Sequence, residues 1–496
     1  MWEDSLIIGY NNENSSSLVA SRIKEISKNY NILFANFHNS IVGVGGVGTV
    51  TRTTQKLIPE LHMVCYDPLL KHDAVYGKSK IHPVQLNIKT LNNFQIKYAK
   101  QYLWPLLHDL PPHLTEKQTI ATRDSYITAS QQFANKIFRV AVENKKPWIY
   151  WINDYSLAGT IGALRTLKPE AKICFSLRSP FGYHDYPKFF TKDAEMLIKS
   201  IIQADFISFH RTRDVINFLR LAEHVSVKSK DIKVIWKNHT IRYKDHTAIP
   251  RVVPLGNDPS YRQWLARTKK AKQTKDKFIH LAQGKKIITS ISRFEIHKGI
   301  KEELDAIEQL LKFFPNIHEK FVFVRVAYLA KEYLAIPAYA RLYSFVKKRV
   351  TNLNRTYGNK NWKPIIAMLG RKFTDYEVTG LLRSADVLLI MSLADGFNHS
   401  SVEGVLSKLT EDNPMLLLSS DVGSSDYLGN TQIKIQPYDK IDTAIKLHAA
   451  LVNDEAQTRK VQAELKNHAL RLTIKGWTLS ILDAVININN VPIWNN

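Results

Sequence analysis

Residues 385–408 read ADVLLIMSLADGFNHSSVEGVLSK, and this stretch decides the fold class. The apolar run over residues 387–391 has the length of a buried strand, and residues 393–398 carry the glycine and polar side chains typical of a turn. From Ser400 onward the apolar residues recur at helical spacing. A strand, a turn and a helix in this order are the repeating unit of a parallel α/β sheet.

Polar side chains at this turn mark a candidate ligand site. In parallel sheets, ligands bind outside the carboxyl ends of the strands, and a helix that begins there points free backbone N–H groups at phosphate. Asp395, Asn398 and Glu403 therefore lie where a nucleotide-linked ligand would be held. The structural alternative is that Ser400 and Glu403 form an S-x-x-E capping box and that Asp395 belongs to an ordinary Asp-Gly turn.

The same unit recurs along both halves of the chain. Strands are predicted in the first half at residues 31–37, 148–153, 171–177 and 205–210, and in the second half at residues 286–292, 320–326, 364–369, 387–391 and 414–419. Strands that alternate with helices predict parallel sheets with right-handed crossovers. Two such series predict an α/β protein with two doubly wound Rossmann-like domains facing a cleft.

Two cations follow the first strand of the second half, in SRFEIHKG. Arg293 and Lys298 come after a strand and before the predicted helix GIKEELDAIEQLL. Two positive charges at this place would stabilise a departing diphosphate, which gains charge in the transition state. A purely structural role is unfavourable, because a cation at a helix N-terminus opposes the helix dipole.

The first half offers three weaker candidates. Gly45 and Gly46 belong to the glycine-rich segment SIVGVGGVGTVTRT, which would let a backbone approach a diphosphate, although a structural turn is the alternative. Asp154 ends a strand where a helix begins, so it is either a ligand-binding carboxylate or a helix N-cap. Trp104 is either a core anchor or one wall of a site.

A basic hairpin is predicted over residues 231–243, DIKVIWKNHTIRY. Its cations and aromatic rings interleave in a way that suits contact with nucleic acid, and a solvated surface is the alternative. The candidate nucleic-acid contacts are Lys233, Trp236, Lys237, Arg242 and Lys244.

Composition narrows the possible classes of function. The 69 Lys and Arg residues against 45 Asp and Glu residues give a net charge of +24, which attracts nucleic acid, anionic membrane surfaces or phosphorylated small molecules. Cys65 and Cys174 form no disulfide or metal-binding pattern, so we expect a reducing, cytoplasmic location. The acidic Glu3 and Asp4 argue against a secretory signal, and no apolar stretch reaches membrane-spanning length.

Eight segments taken in order resemble the trehalose-6-phosphate synthase family, glycosyltransferase family 20. They are LWPLLHDLP (103–111), WINDYSL (151–157), DFISFHRTRDVINFL (205–219), VPLGND (253–258), SRFEIHKG (292–299), RTYGNKNWKPI (355–365), ADGFNHSSVEG (394–404) and QPYD (436–439). The resemblance implies retaining glycosyltransferases with the GT-B fold. It implies an acceptor-side domain over residues 1–256, a nucleotide-sugar domain over 257–475, and a helix and tail over 476–496 that pack back on the first domain.

The resemblance also implies roles for single residues. The implied catalytic residues are Arg293, Lys298, Asp154 and Asp395; the implied donor-binding residues are Gly45, Gly46, Arg178, Phe397, Asn398, His399 and Glu403; the implied acceptor-binding residues are Trp104, Gln95 and Lys331. Within these sets, Arg293 and Lys298 match the diphosphate-binding pair, and Glu403 matches the residue on the ribose. No metal and no cofactor are implied, and the nucleotide-sugar substrate is expected to be a UDP-sugar.

Departures from the family pattern concentrate on the acceptor side. On the acceptor side, Gln95 replaces a tyrosine and Lys331 replaces an arginine. On the donor side, Arg178 replaces a histidine that in the family contacts the donor hexose near its C6 hydroxyl. An arginine expected near the first strand falls at Phe37 or His38. We therefore expect the acceptor to differ from that of the family.

Three functions follow from these observations. The first is a retaining glycosyltransferase that moves a hexose or a pentose from a nucleotide-sugar to a hydroxymethylated base in DNA. The second is transfer to a sugar phosphate or a cyclitol phosphate, the family's usual chemistry. The third is a non-catalytic sugar-nucleotide-binding protein. The oligomeric state does not follow from the sequence.

Overall fold

The computed structural model describes residues 16–39, 45–142, 146–182, 191–409, 412, 414–453 and 455–488. Backbone contacts divide the chain into two compact units. The first contains residues 1–256 and 473–496, and the second contains residues 257–472.

The first unit contains one mostly parallel sheet. Its described strands are β1 (Asn31–His38), β2 (His62–Tyr66), β3 (Ala74–Tyr76), β4 (Ser79–Pro83), β5 (Trp148–Asn153), β6 (Lys172–Ser176), β7 (Phe206–Phe209), β8 (Ile232–Ile235), β9 (Thr240–Tyr243) and β10 (His246–Val252). They lie in the order β3-β4-β2-β1-β5-β6-β7-β10-β9-β8. The outer strands β3, β8 and β9 pair antiparallel, and the inner seven are parallel.

Helices connect these strands. The described helices are α1 (Ser16–Asn29), α2 (Gly45–Leu57), α3 (Ile88–Leu91), α4 (Trp104–Leu107), α5 (Glu116–Val142), α6 (Ala158–Leu167), α7 (Thr191–Ile201) and α8 (Thr212–Ser226). A π-helical segment, Asn92–Leu103, joins α3 to α4. It buries Phe94, Tyr98, Ala99, Lys100, Tyr102 and Leu103.

The second unit repeats the design with a fully parallel sheet. Its described strands are β11 (Lys286–Arg293), β12 (Phe321–Tyr328), β13 (Ile365–Leu369), β14 (Val387–Ile390), β15 (Met415–Ser419) and β16 (Ile433–Ile435). The helices are α9 (Pro259–Arg267), α10 (Lys269–Ala282), α11 (Ile300–Phe313), α12 (Pro337–Tyr357), α13 (Asp375–Ser384), α14 (His399–Leu406), α15 (Lys440–Val452) and α16 (Glu455–Arg471). The strand order is β13-β12-β11-β14-β15-β16.

Burial on both faces explains why the central strands are continuous apolar runs. All six residues of β5, WIYWIN, and all four of β14, VLLI, are buried. Parallel sheets covered by helices on both faces require this pattern. The doubly wound α/β class predicted from the sequence is therefore confirmed in both units.

Strand order places one topological switch point in each sheet. In the first unit the order reverses between β1 and β5, and in the second between β11 and β14. Ligands of open α/β sheets bind in the crevice at such a reversal, outside the carboxyl ends of the strands. The fold thus selects two edges where binding residues are expected.

The last described helix, α17 (Ile474–Ile486), belongs to the first unit. Trp477 is buried, and its ring centroid lies 4.9 Å from that of Trp151 in β5. Asp483 pairs with Arg22 of α1 at 3.2 Å. The chain therefore returns to the first unit after the second is complete.

Several elements differ from the sequence prediction. Strands β2, β3, β4, β10 and β16 were not predicted. The lysine-rich residues 269–277 form most of α10. The hairpin over residues 231–243 is confirmed as β8 and β9, and a 3-10 turn, Trp236–Asn238, joins the two strands.

Candidate functional site: two switch points and a buried ion pair

The switch point of the second unit brings together the two cations and the carboxylate of residues 385–408. Arg293 is the last residue of β11, and Lys298 lies in the short 3-10 turn before α11. The Nζ of Lys298 donates a hydrogen bond to Oδ2 of Asp395, which follows β14. Their side chains are 11% and 14% exposed, so the pair is largely withdrawn from solvent.

A close backbone approach makes this pairing possible. Gly299 follows Lys298 with φ of +67°, and a Cβ there would lie 2.0 Å from the carbonyl oxygen of Met391. The backbone N–H of Leu393 donates to the carbonyl of His297 at 2.7 Å. A side chain at residue 299 would push the two loops apart, and with them Lys298 and Asp395.

The turn that carries Asp395 is held by a second loop. The N–H of Asp395 donates to the carbonyl of Asp421 at 3.1 Å, and its own carbonyl accepts from Gly423 N–H at 3.0 Å. A Cβ at residue 423 would lie 1.8 Å from the carbonyl oxygen of Gly396. This support fixes the Asp395 side chain in place before any ligand binds.

Asn398, and not Ser400, caps the helix that follows. Its Oδ1 accepts from the N–H of Ser401 at 3.0 Å, and its Nδ2 donates to Oδ2 of Asp395 at 2.9 Å. The expected capping box between Ser400 and Glu403 is therefore wrong, because the helix begins at His399 and Glu403 is engaged elsewhere. Asn398 has φ of +70°, an uncommon conformation for a residue other than glycine.

Glu403 is buried and paired with Arg262 of α9. Burial raises the pKa of the Glu403 carboxyl, and the Arg262 guanidinium opposes that rise. Arg262 itself keeps Nε and Nη1 without a hydrogen-bond partner among the described residues. Arg262 was not predicted from the sequence, since an arginine within the amphipathic helix PSYRQWLAR carries no distinguishing signal.

The remaining predicted residues of this unit lie around the same edge. Phe397 is buried and His399 begins α14, with its Nδ1 3.2 Å from Oδ1 of Asn257. The Arg293 side chain is 56% exposed, and its Nη1 lies 3.3 Å from Oε1 of buried Glu295. Lys331 is exposed after β12, and no described contact joins it to this group.

The switch point of the first unit holds a second polar group. Asp154 follows β5, and its Oδ1 accepts hydrogen bonds from Tyr155 N–H at 3.1 Å and from Ser179 Oγ at 3.2 Å. Its backbone has φ of +69° and ψ of 162°. This region of backbone space is ordinarily restricted to glycine, and residues held there cluster at functional sites.

Arg178 lies next to Asp154, two residues after β6. Its Nη2 donates to Oδ1 of Asn36 in β1 at 2.6 Å, and its Nε is 3.9 Å from Oδ2 of Asp154. Burial lowers the pKa of the Arg178 guanidinium, and Asp154 opposes that effect. Asn36 was not identified from the sequence, although an asparagine within the apolar strand NILFANFH was a usable signal.

Trp104 lies close to this group, and Gln95 lies further along the same helical segment. The Trp104 ring centroid is 5.2 Å from that of Tyr155 and 4.5 Å from the Nζ of Lys100. Gln95 is half-buried in the π-helical segment, and its Oε1 has no partner among the described residues. Trp104 therefore contacts Tyr155, the residue next to Asp154 in the chain. Lys331 lies in the second unit.

Two further predictions meet the structure only in part. Gly45 and Gly46 are the first residues of α2, and the glycine-rich segment before them, residues 40–44, lies outside the described residues. In the hairpin, the indole Nε1 of Trp236 donates to Oε1 of Glu223 at 2.8 Å. The Nζ of Lys244 lies 5.5 Å from the Tyr243 ring centroid. Nucleic-acid contact by Lys233, Lys237 and Arg242 remains a prediction.

The described part of the chain contains no group of three or more His, Cys, Asp or Glu side chains placed to hold a metal ion. In the same residues, none of the helices is long and apolar enough to cross a membrane.

Two Rossmann-like sheets, with a cation and a carboxylate paired at a switch point, define the class as GT-B. This class is confirmed by solved structures of the same fold. The N-terminal domain of Candida albicans trehalose-6-phosphate phosphatase has a TM-score of 0.82 at 23% identity, over 92% of this chain and 96% of that one. The E. coli trehalose-6-phosphate structure with UDP-2-fluoro glucose has a TM-score of 0.81 at 20% identity, over 92% and 99% of the two chains.

The chain belongs to glycosyltransferase family 20, whose family model matches residues 13–487. It is 26% identical over 404 residues to alpha,alpha-trehalose-phosphate synthase [UDP-forming] A of Dictyostelium discoideum, covering 81% of this chain and 52% of that protein. It is 27% identical over 402 residues to glucosylglycerol-phosphate synthase of Picosynechococcus, covering 77% and 78%. The chain thus spans about half the length of the Dictyostelium relative and more of the cyanobacterial one. The family resemblance stated from the sequence is confirmed.

Proposed function

We propose that the protein is a retaining glycosyltransferase that moves a hexose from a UDP-hexose to a hydroxyl of a sugar phosphate or a polyol phosphate. The observation that carries this proposal is the Lys298–Asp395 pair at the switch point of the second unit. Family membership and the names of the relatives support it, since one name describes a UDP-forming trehalose-phosphate synthase and the other a glucosylglycerol-phosphate synthase.

The second unit would bind the donor. Lys298 has three N–H donors, so it can keep its hydrogen bond to Asp395 while it donates another to a diphosphate oxygen. Arg293, exposed at the end of β11, would add a second cation beside the leaving group. Asp395 would accept hydrogen bonds from hydroxyls of the donor sugar, and Glu403 would accept them from the ribose.

The first unit would bind the acceptor. Asp154 is placed by its backbone hydrogen bond and by Ser179, so its carboxylate is oriented before a hydroxyl arrives. Trp104, next to Tyr155, would form an apolar wall for the acceptor sugar. Residues 1–256 would then be the acceptor domain and residues 257–475 the nucleotide-sugar domain, with residues 476–496 packing on the first.

The comparisons support a phosphorylated acceptor better than the DNA base toward which the sequence analysis leaned. The two relatives carry names of a trehalose-phosphate synthase and a glucosylglycerol-phosphate synthase. A pentose donor has no support in these names, whereas a hexose does. A cytoplasmic location is part of the proposal, and it rests on Cys65 and Cys174, which are both buried and unpaired.

The test is mass spectrometry of acceptors after incubation with UDP-, GDP- and ADP-hexoses. Hexose 6-phosphates, glycerol 3-phosphate and hydroxymethylated duplex DNA would be offered in parallel. We expect a hexose added to a phosphorylated acceptor and UDP released, with no product from the Arg293→Ala and Lys298→Ala variants. A product on DNA alone would overturn the proposed acceptor class, and wild-type turnover in both variants would overturn the donor site.

A further inference from the structure

The Arg178 guanidinium is a buried cation with unmet hydrogen-bonding capacity. Its side chain is 7% exposed. Nη2 donates to Asn36, whereas Nε and Nη1 have no partner among the described residues. Arginine has five N–H donors in a planar fork and no acceptor, so part of this fork is left for another group.

Such an arrangement is unfavourable without a ligand. A buried charge without a hydrogen-bonded counterion costs several kcal/mol in real proteins. The nearest carboxylate, Asp154, lies 3.9 Å from Nε, which is beyond hydrogen-bonding distance, and it already accepts from Tyr155 and Ser179. The protein therefore holds a guanidinium in place that its own side chains satisfy only in part.

The location points to a substrate and not to a structural partner. Arg178, Asn36 and Asp154 come from the carboxyl ends of three adjacent parallel strands, β6, β1 and β5, at the switch point of the sheet. Asp154 at the same edge has the backbone strain described above. Backbone strain and unsatisfied hydrogen-bond donors both destabilise the unbound protein, and both are expected at a binding site that is formed before its ligand arrives.

We propose that Arg178 binds an oxyanion carried by a substrate sugar, either the carboxylate of a uronate or the phosphate of a sugar phosphate. Nε–H and Nη1–H can each donate to an oxygen of either group, and the second hydrogen of Nη2 can complete a two-bond fork with one of them. This inference rests on the proposed function, because it names a charged group on one substrate of that transfer. It makes Arg178 a specificity-determining residue of the first unit.

A neutral ligand is the competing possibility. A sugar hydroxyl could accept from Arg178 and donate to Asp154, which would use both side chains without any anion. The two possibilities differ in what a loss of the positive charge does. Replacing Arg178 by glutamine keeps hydrogen-bond donors for a hydroxyl, whereas it removes the charge that an oxyanion requires.

The primary test is equilibrium binding by isothermal titration calorimetry, which does not depend on turnover. The full chain would be titrated with glucose 6-phosphate, D-glucuronate and D-glucose as probes, and Arg178→Gln would be compared with wild type. Arg220→Gln, which removes the same charge from an exposed position on α8, is the matched control. We expect Arg178→Gln to weaken binding of one anionic probe by roughly 10- to 100-fold, with glucose and the control unchanged.

The affected probe identifies the source of the oxyanion. A selective loss for glucuronate assigns a uronate, and a selective loss for glucose 6-phosphate assigns a phosphate. Equal binding of wild type to glucose and to both anions would overturn the inference, as would an anion affinity that Arg178→Gln leaves unchanged. If the wild-type protein binds an anion through Arg178 but transfers no sugar, the proposed function is refuted and the inference about Arg178 stands.

Thermal unfolding without ligand separates a binding role from a structural one. If Arg178 serves a ligand, Arg178→Gln should unfold at the same temperature as wild type or at a higher one, because an unsatisfied buried charge is gone. Arg178→Lys should retain weak anion binding, since lysine keeps the charge and loses the fork. An unfolded or strongly destabilised Arg178→Gln protein would show a structural role and overturn the inference.

Discussion

Replacing Lys298 by methionine removes one charge from the proposed donor site and keeps most of the aliphatic side chain. At an effective dielectric constant of about 20, two unit charges about 4 Å apart interact by about 4 kcal/mol. The leaving diphosphate gains up to one negative charge in the transition state, so about 2 to 4 kcal/mol of stabilisation would be lost. We expect kcat to fall by roughly 30- to 1,000-fold in Lys298→Met.

The side chain's low exposure, 11%, justifies the reduced dielectric constant. The assay is UDP release at saturating donor and acceptor, with the substrate pair found by the mass-spectrometry panel. Lys301→Met is the control, because Lys301 is exposed one turn away at the start of α11 and carries the same charge. A kcat within fivefold of wild type, or a change in KM alone, would refute the assignment of Lys298 to the leaving group.

Three further predictions test the scaffold, two of them at the switch points and one at the start of β2. Gly299→Ala should lose about 2 to 4 kcal/mol of stability in urea denaturation, and most activity, because its Cβ would lie 2.0 Å from the Met391 carbonyl oxygen. The control is Gly284→Ala, which is also at positive φ but has no atom within contact distance of the added Cβ. It should lose only about 1 kcal/mol. Asp154→Gly should be about 1 to 3 kcal/mol more stable than Asp154→Ala in the same assay. Both variants lose the carboxylate, and only glycine relieves the backbone strain at this position. Equal stabilities of the two variants would contradict the strain argument. His62 has its pKa lowered to about 4, chiefly by burial. The unfolded chain therefore binds a proton between about pH 6.5 and pH 4 that the folded chain does not, and stability should fall by about 1 to 2 kcal/mol on acidification through this window. His62→Asn should flatten that slope in denaturation curves at pH 4.5 and pH 7, and an unchanged slope would refute the contribution of His62.

The placement of Arg293, Lys298 and Asp395 at one edge of the second sheet was predictable from the sequence, because these residues closely follow strongly apolar strands. Residues 387–391 and 287–291 are buried, so the ends of both strands could be located to within about two residues. Once strand order is doubly wound, the ends of β11 and β14 must be neighbours. The meeting of Lys298 with Asp395 follows from these two facts.

The partners of these residues were not readable in the same way. Arg262 reaches Glu403 from 141 positions away in the chain, and Asn36 reaches Arg178 across 142 positions. No periodic pattern in the sequence indicates either contact, because each depends on how a helix or strand is rotated about its axis in the packed unit. The capping prediction failed for a related reason, because a local motif at Ser400 competed with Asn398, whose position is set by the Asp395 turn.

Both switch points share a backbone conformation that the intrinsic preferences of their residues disfavour. Each holds a polar residue other than glycine at positive φ, Asp154 at +69° and Asn398 at +70°, and each of these side chains hydrogen-bonds to the neighbouring helical turn. Glycine would satisfy either backbone at lower cost but would carry no carboxylate or amide into the crevice. Because the strain is found at the two edges that strand order selects for ligands, it is best explained by binding. The same reasoning applies to Arg178, whose unmet donors face the first of these edges.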